Sequence, residues 1–334
     1  MKKWLAQWFG GGANGAPTRP AAVPPAGATP VPEAVADGAS AAQVSLAFLR
    51  WLAAPSASQA PSNAARRILD ELARLVRTPA AAADLVPRVP AVIPQLLRSL
   101  RDDSMSAADL SRQLSQDVVL VAEVIREANS PFYRSTTPVR TIEGAIMLLG
   151  QNGMRMLLAR VAFRPIISMQ AGRFARHVAP QVWSQSEKCA LAANLLAPAL
   201  GANPFEAYLA GLMQNVGLIV AFRVIDQVSL DDSVPQSDEF FAELGATARA
   251  LSAAIAREWG FPPEVADAIE QAGEPGAPPL AQALAQGDRL AKLRVLLDAG
   301  AIAADHPDLA RGMSTRQRSC FDQLRTEENN AVPD

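Results

Sequence analysis

The sequence predicts an all-α protein: a compact multi-helix bundle preceded by a disordered Ala/Pro/Gly-rich N-terminal region. Three observations predict it. From Asn63 to about Ala268, apolar residues recur three and four apart, the spacing of one helix face. No stretch of useful length alternates apolar and polar residues as a half-buried strand does. Of the 334 residues, 49% are hydrophobic, with Ala, Leu and Val dominant, which suits helices and a sizeable core.

Residues 1–62 read as a flexible region that holds two short aromatic islands. Residues 10–40 are rich in Gly, Ala and Pro and carry almost no large apolar side chains. Such a segment buries too little surface to offset the entropy of ordering it. The first island is Lys3-Trp4-Leu5-Ala6, extended by Gln7-Trp8-Phe9. The second is Arg50-Trp51-Leu52-Ala53, at the end of a run from Val44. In both, a basic residue precedes Trp-Leu-Ala, and three of the five tryptophans lie here. Trp4, Leu5, Trp8 and Phe9 share one helical face, and so do Val44, Phe48, Trp51 and Leu52.

The folded body is expected over residues 63–325. Asn63 is placed to cap a helix through Ile68, Leu69, Leu72, Leu75 and Val76. The Pro/Gly-rich run from Gly273 to Pro279 interrupts the helical pattern. A further helix follows from Leu280 to Leu297, inside a C-terminal extension over 280–325. The tail 326–334, with Glu327-Glu328-Asn329-Asn330, is expected to be disordered.

Charge and cysteine content narrow the function classes. The net charge of −2 leaves no basic surface dominating the chain, so a nucleic-acid partner is not expected. Cys189 and Cys320 lie far apart, which suggests no disulfide framework and a reducing cytoplasm. Cys189 falls in an Ala/Leu-rich run and reads as a small buried hydrophobe. No apolar run is expected to reach the roughly 20 residues that span a bilayer. The apolar part of the N-terminus is too short for a secretory core, and no Ala-x-Ala cleavage pattern follows closely. The chain is therefore expected to be cytoplasmic. Membrane contact through residues 1–9, with Lys2, Lys3, Trp4 and Trp8, is physically reasonable but offers little surface.

Several motifs follow one another in a telling order. Val89-Pro90-Ala91-Val92 precedes Ile93-Pro94-Gln95-Leu96-Leu97. Leu114-Ser115-Gln116-Asp117 comes next, then Val124-Ile125-Arg126-Glu127-Ala128-Asn129-Ser130. Thr141-Ile142-Glu143-Gly144-Ala145-Ile146-Met147-Leu148-Leu149-Gly150 completes the series. Each is weak alone; their order and spacing resemble the HDOD family, the HD-related output domain of bacterial signalling proteins. The resemblance covers residues 64–270. It implies a helical HD-like domain and a regulatory role, often tied to stress, motility or cyclic di-GMP. The motifs also have plain structural readings. Asp117 is placed to cap the helix through Asn129. Val118 stands where the family usually has proline, losing a pre-set first turn. Asn129-Ser130-Pro131 reads as a helix exit, and Gly150 as a C-cap.

Leu209-Ala210-Gly211-Leu212-Met213-Gln214-Asn215-Val216-Gly217 resembles the segment that names the HD superfamily. There a His-Asp pair supplies an imidazole nitrogen and a carboxylate to a divalent ion, which activates water for phosphoester hydrolysis. Here the pair is Gln214-Asn215. Neutral amides hydrogen-bond but are poor ligands for a transition metal. The superfamily's early histidine resembles the position of Gln185, in Trp183-Ser184-Gln185-Ser186. Its late aspartate matches Asp288, in Gly287-Asp288-Arg289-Leu290-Ala291. One anionic ligand of four does not hold a catalytic ion. Asp288 also lies four residues before Lys292, a helix pair worth about 0.2–0.5 kcal/mol. Thr247 and Gln271 stand near places where the family often carries histidine. The two histidines, His177 and His306, have no second ligand at metal spacing. No P-loop, dinucleotide turn or nucleophile elbow is present.

The expected function is accordingly a non-enzymatic signalling module with no catalytic residue, no metal and no cofactor, acting through protein partners. Trp4, Trp8, Phe48 and Trp51 are candidate docking anchors in a helix-in-groove mode. Residues 44–52 equally suit packing on their own domain. The alternatives are a nucleotide sensor using the former metal cleft, and a metal-dependent phosphohydrolase.

Overall fold

A computed structural model describes residues 34–54, 63–86, 111–112, 118–129, 138–168, 172–229, 233–310 and 312–325. Among the described residues there are thirteen helices and no strand. The first island, with Trp4 and Trp8, lies outside them, as do Asp117, the Val89–Leu97 motifs and the tail 326–334.

The centre of the packing is α6 (Arg173–Leu200), an Ala-rich helix whose buried residues include Gln185, Cys189, Ala190 and Ala193. It stops at Gly201, which takes a left-handed φ of 76°. Asn203 then caps α7 (Pro204–Met213), its side chain accepting from the N–H groups of Phe205 and Glu206, with Pro204 at the first turn. The short link sends α7 back along α6. The two approach closely because Gly211 faces bare backbone: a Cβ there would sit 2.4 Å from Ala190 Cα. One turn further along α6, α11 (Pro279–Asp298) uses the same device. A Cβ at Gly287 would lie 2.8 Å from Ala193 N.

The remaining helices complete the wall around α6. α8 (Val216–Val228) packs on α9 (Asp238–Glu258), and α10 (Pro263–Gln271) bridges α9 and α11. α2 (Ala64–Val76) and α3 (Pro79–Asp84) cover α9 from outside, with Ile68, Leu72 and Leu75 buried. Asn63 stands at the N-cap of α2, yet its side chain makes no capping hydrogen bond. α12 (Pro307–Ala310) and α13 (Thr315–Gln323) close the C-terminal side. There Arg289 pairs with Asp308 (2.9 Å), and Arg294 stacks 4.9 Å from the Phe321 ring.

A second, smaller core lies between α4 (Val118–Ala128) and α5 (Ile142–Ser168). It contains Val124, Val139, Ile142, Leu149, Met154 and Leu157. Asn129 secures it as architecture. Its Nδ2 donates to the Val139 carbonyl (2.7 Å) while its Oδ1 accepts from the Val139 N–H (2.7 Å). Gly150 adopts the left-handed φ of a helix end, 70°, but the helix resumes at once, so it marks a break inside α5 rather than its stop. Arg160 joins this part to α6, reaching Glu127 Oε1 at 2.6 Å and pairing with Glu187.

Within the expected flexible region over 1–62, the structure departs from the reading at residues 34–53. Residues 34–53 form α1 (Ala34–Ala53), which packs on α9 and α11 within the unit that runs from Ala34 onward. Phe48, 1% exposed, joins Leu49 and Leu52 in the main core. A side chain so buried is not a free docking anchor, so Phe48 leaves that list. The reason is the apolar face Val44–Phe48–Leu52, which finds its partner surface some two hundred residues away.

One stretch is more apolar than the sequence reading expected. Residues 204–228 have a mean hydropathy of 1.5 over an 18-residue window, long and apolar enough to cross a membrane, yet 89% of that window is buried in the fold. It is not one helix, since α7 and α8 part at Gln214 and Asn215.

The close contacts generate the first prediction. Gly211→Ala forces α7 off α6 at backbone, where nothing can swing aside. The expected loss is about 3 kcal/mol in urea unfolding, with helix content retained.

Candidate functional site

The turn between α7 and α8 is held from behind by α9. Ser252 Oγ accepts from the Gly217 N–H (2.8 Å) and donates to the Gln214 carbonyl (2.6 Å). Gly217 lies so close to α9 that a Cβ would meet the Ala248 carbonyl at 2.0 Å. This pins Gln214 and Asn215 against α6 and α11. Asn215 occupies the N-cap position of α8, but its side chain makes no capping bond. It turns inward instead.

Four side chains converge there: Gln185 from α6, Gln214 and Asn215 from the turn, and Asp288 from α11. Gln185 Nε2 donates to Asp288 Oδ1 at 2.7 Å, and Gln214 Nε2 donates to the same oxygen at 3.1 Å. Asn215 Nδ2 donates to Gln185 Oε1 and, at 2.9 Å, to Ser186 Oγ. Ser186 Oγ passes its own proton to the Val182 carbonyl (2.9 Å). The amide orientations follow from the carboxylate, which only accepts. Both glutamines must turn N–H towards Asp288, which leaves Gln185 Oε1 to receive Asn215.

Asp288 uses its second oxygen elsewhere. Lys292 Nζ lies 2.6 Å from Asp288 Oδ2, one turn along α11. The helix pair and the inward-facing role, alternatives in the sequence, are both present in one carboxylate. Sequence reasoning missed Ser186 and Ser252, and had Lys292 only as the helix partner of Asp288, without its tie to α1. The i, i+4 spacing from Asp288 was the only signal for any of them.

Cys189 follows Gln185 by one turn and is fully buried. Burial pushes its thiol well above the usual range, and the Asp288 charge adds to this, opposed by Lys292 and by a hydrogen bond with Gln214. It stays a neutral thiol. Burial pushes Cys320 up to about 12. Both cysteines are free.

The donor set does not fit a divalent ion. It offers one carboxylate, and two amide N–H groups point at the oxygen a cation would approach. Among the described residues, no three of His, Cys, Asp and Glu are grouped for a metal. His177 is exposed. His306 is half-buried, its Nδ1 accepting from the Asp308 N–H at 3.3 Å.

Of the proposed docking anchors within the described residues, only Trp51 keeps an outward face. It lines a shallow groove of about 340 Å³ with Pro180, Gln181, Ser184 and Lys188 of α6 and Asp298 of α11.

The HDOD domain family model matches residues 86–275, more than half of the 334 residues. A protein of uncharacterised function from Treponema pallidum (strain Nichols) is 25% identical over 203 residues. The match covers 56% of this chain but only 37% of that relative's length. An HDOD domain protein of unknown function from Geobacter sulfurreducens has a TM-score of 0.54 at 22% identity, covering 79% of this chain and 95% of its own. A protein from Shewanella amazonensis SB2B, named provisionally as a metal-dependent phosphohydrolase, gives 0.52 at 18%, covering 78% and 98%. One from Marinobacter aquaeolei VT8, assigned provisionally to signal transduction, gives 0.52 at 21%, covering 86% and 64%. At these identities the likeness establishes the all-α fold.

Asn215→Asp tests the geometry. The new carboxylate faces Gln185 Oε1, an acceptor, and turning Gln185 over would present that oxygen to Asp288 instead. The expected cost is about 2–4 kcal/mol at neutral pH. The loss should shrink at mildly acid pH, where the introduced carboxyl is protonated and can donate again. Thermal melts at the two pH values check both statements. An unchanged or raised midpoint at neutral pH, without added metal, contradicts them.

Proposed function

Because the chain belongs to the HDOD family, we propose that it is a non-catalytic regulatory module of signal transduction, acting through contacts with protein partners. One observation carries this reading. The side chains at the positions that resemble the superfamily's metal ligands are hydrogen-bonded to one another, with every amide N–H that faces Asp288 already given to it. Such a centre binds itself. Without an activated water there is nothing to attack a phosphoester.

The same bonds weaken the nucleotide-sensor alternative. A base edge would have to displace partners that are already well placed, and a buried amide left without one costs about 1–3 kcal/mol. The groove at Trp51 is the better candidate for contact with a partner. An aromatic wall beside a polar floor is a common anchor site. The two buried, unpaired thiols suit the reducing cytoplasm that this reading assumes.

Two measurements test the proposal. The purified chain, supplied with Mn²⁺, is expected to turn over neither cyclic dinucleotides nor generic phosphoesters. Turnover that disappears on Asn215→Ala would sink it. Partner capture by the full chain should weaken on Trp51→Ala and persist on Asn215→Ala, which leaves the groove alone.

A further inference from the structure

Asp288 brings a negative charge into a centre whose other members are neutral, and a charge there needs a counter-charge. The superfamily to which the fold is related meets this need with a divalent ion. Here Lys292 meets it, with Nζ 2.6 Å from Asp288 Oδ2; the two side chains are only 14% and 19% exposed. The ammonium belongs to the same helix, four residues on, so it never has to be captured from solution.

Lys292 makes a second connection. Its Nζ donates to Ser45 Oγ of α1 at 3.0 Å and lies 6.0 Å from the centre of the Phe48 ring. A lysine ammonium has three protons to give. One goes to the old metal centre and one to α1. A second polar tie between α1 and the body among the described residues, Arg50 with Asp238, is about half exposed at both ends and contributes little.

We propose that Lys292 is the resident cation of this centre, standing in for the divalent ion, and that through Ser45 it fastens α1 against the bundle. The charge state of the former metal site then governs how firmly an N-terminal helix is held. The inference rests on the non-catalytic reading above, yet the two fail separately. Phosphoester turnover bears on that reading, whereas the measurements below concern only charge and the docking of α1.

The experiment uses the full chain. Thermal melts compare wild type with K292M, D288N and the double variant, while amide exchange is followed in peptides from residues 34–53. K292M is expected to lower the Tm by about 5–10 °C and to quicken exchange in those peptides about tenfold. The double variant should recover most of the Tm, since no carboxylate is left unpaired. S45A keeps the ion pair. Its Tm should barely change while exchange in α1 still rises, which decides the matter if K292M does not fold. Millimolar Mn²⁺ should leave the wild-type melt where it is. The proposal is overturned by a K292M melt matching wild type, by a double variant no better than K292M, by undisturbed α1 exchange in S45A, or by saturable stabilisation of wild type with Mn²⁺.

Discussion

Asp288 carries a charge into the junction of α6, α7, α8 and α11, and much of the local structure is arranged to match it. Two glutamines turn their N–H groups to one oxygen, and a lysine takes the other. The helices that carry these groups also stand close together. Gly211 and Gly287 let α7 and α11 approach the backbone of α6, and Gly217 does the same between α8 and α9. Close packing and polar closure thus meet at one junction. The glycines supply the proximity, and the carboxylate supplies the reason for the orientation of each amide.

Much of this was legible in the sequence. The 3.6-residue period gave the helices, and the run from Gly273 to Pro279 separated α10 from α11 where expected. Gln185, Gln214, Asn215 and Asp288 were found by motif order, and the structure brings all four together. The supporting residues were not legible. Ser252 acts on a turn more than thirty residues away, and a lone serine within a helix carries no pattern. Ser45 meets Lys292 across a separation of 247 residues.

α1 shows why composition misleads at boundaries. Residues 34–43 are small and polar enough to pass for linker. Its apolar face was correctly read as a face, but a sequence does not say which surface a face will meet. Two opposite fates, a partner's groove and the chain's own core, share the same spacing. Phe48 has the second, while Trp51, three residues on, stays at the edge of a groove.

The apolar stretch 204–228 has a polar interruption. Among the described residues it is the one stretch long and apolar enough to cross a membrane, and the fold buries 89% of its apolar 18-residue window. Gln214 and Asn215 fall near its middle, the depth at which polar side chains oppose insertion most strongly. The pair that closes the centre of the folded bundle is thus also the point at which this stretch is broken into α7 and α8.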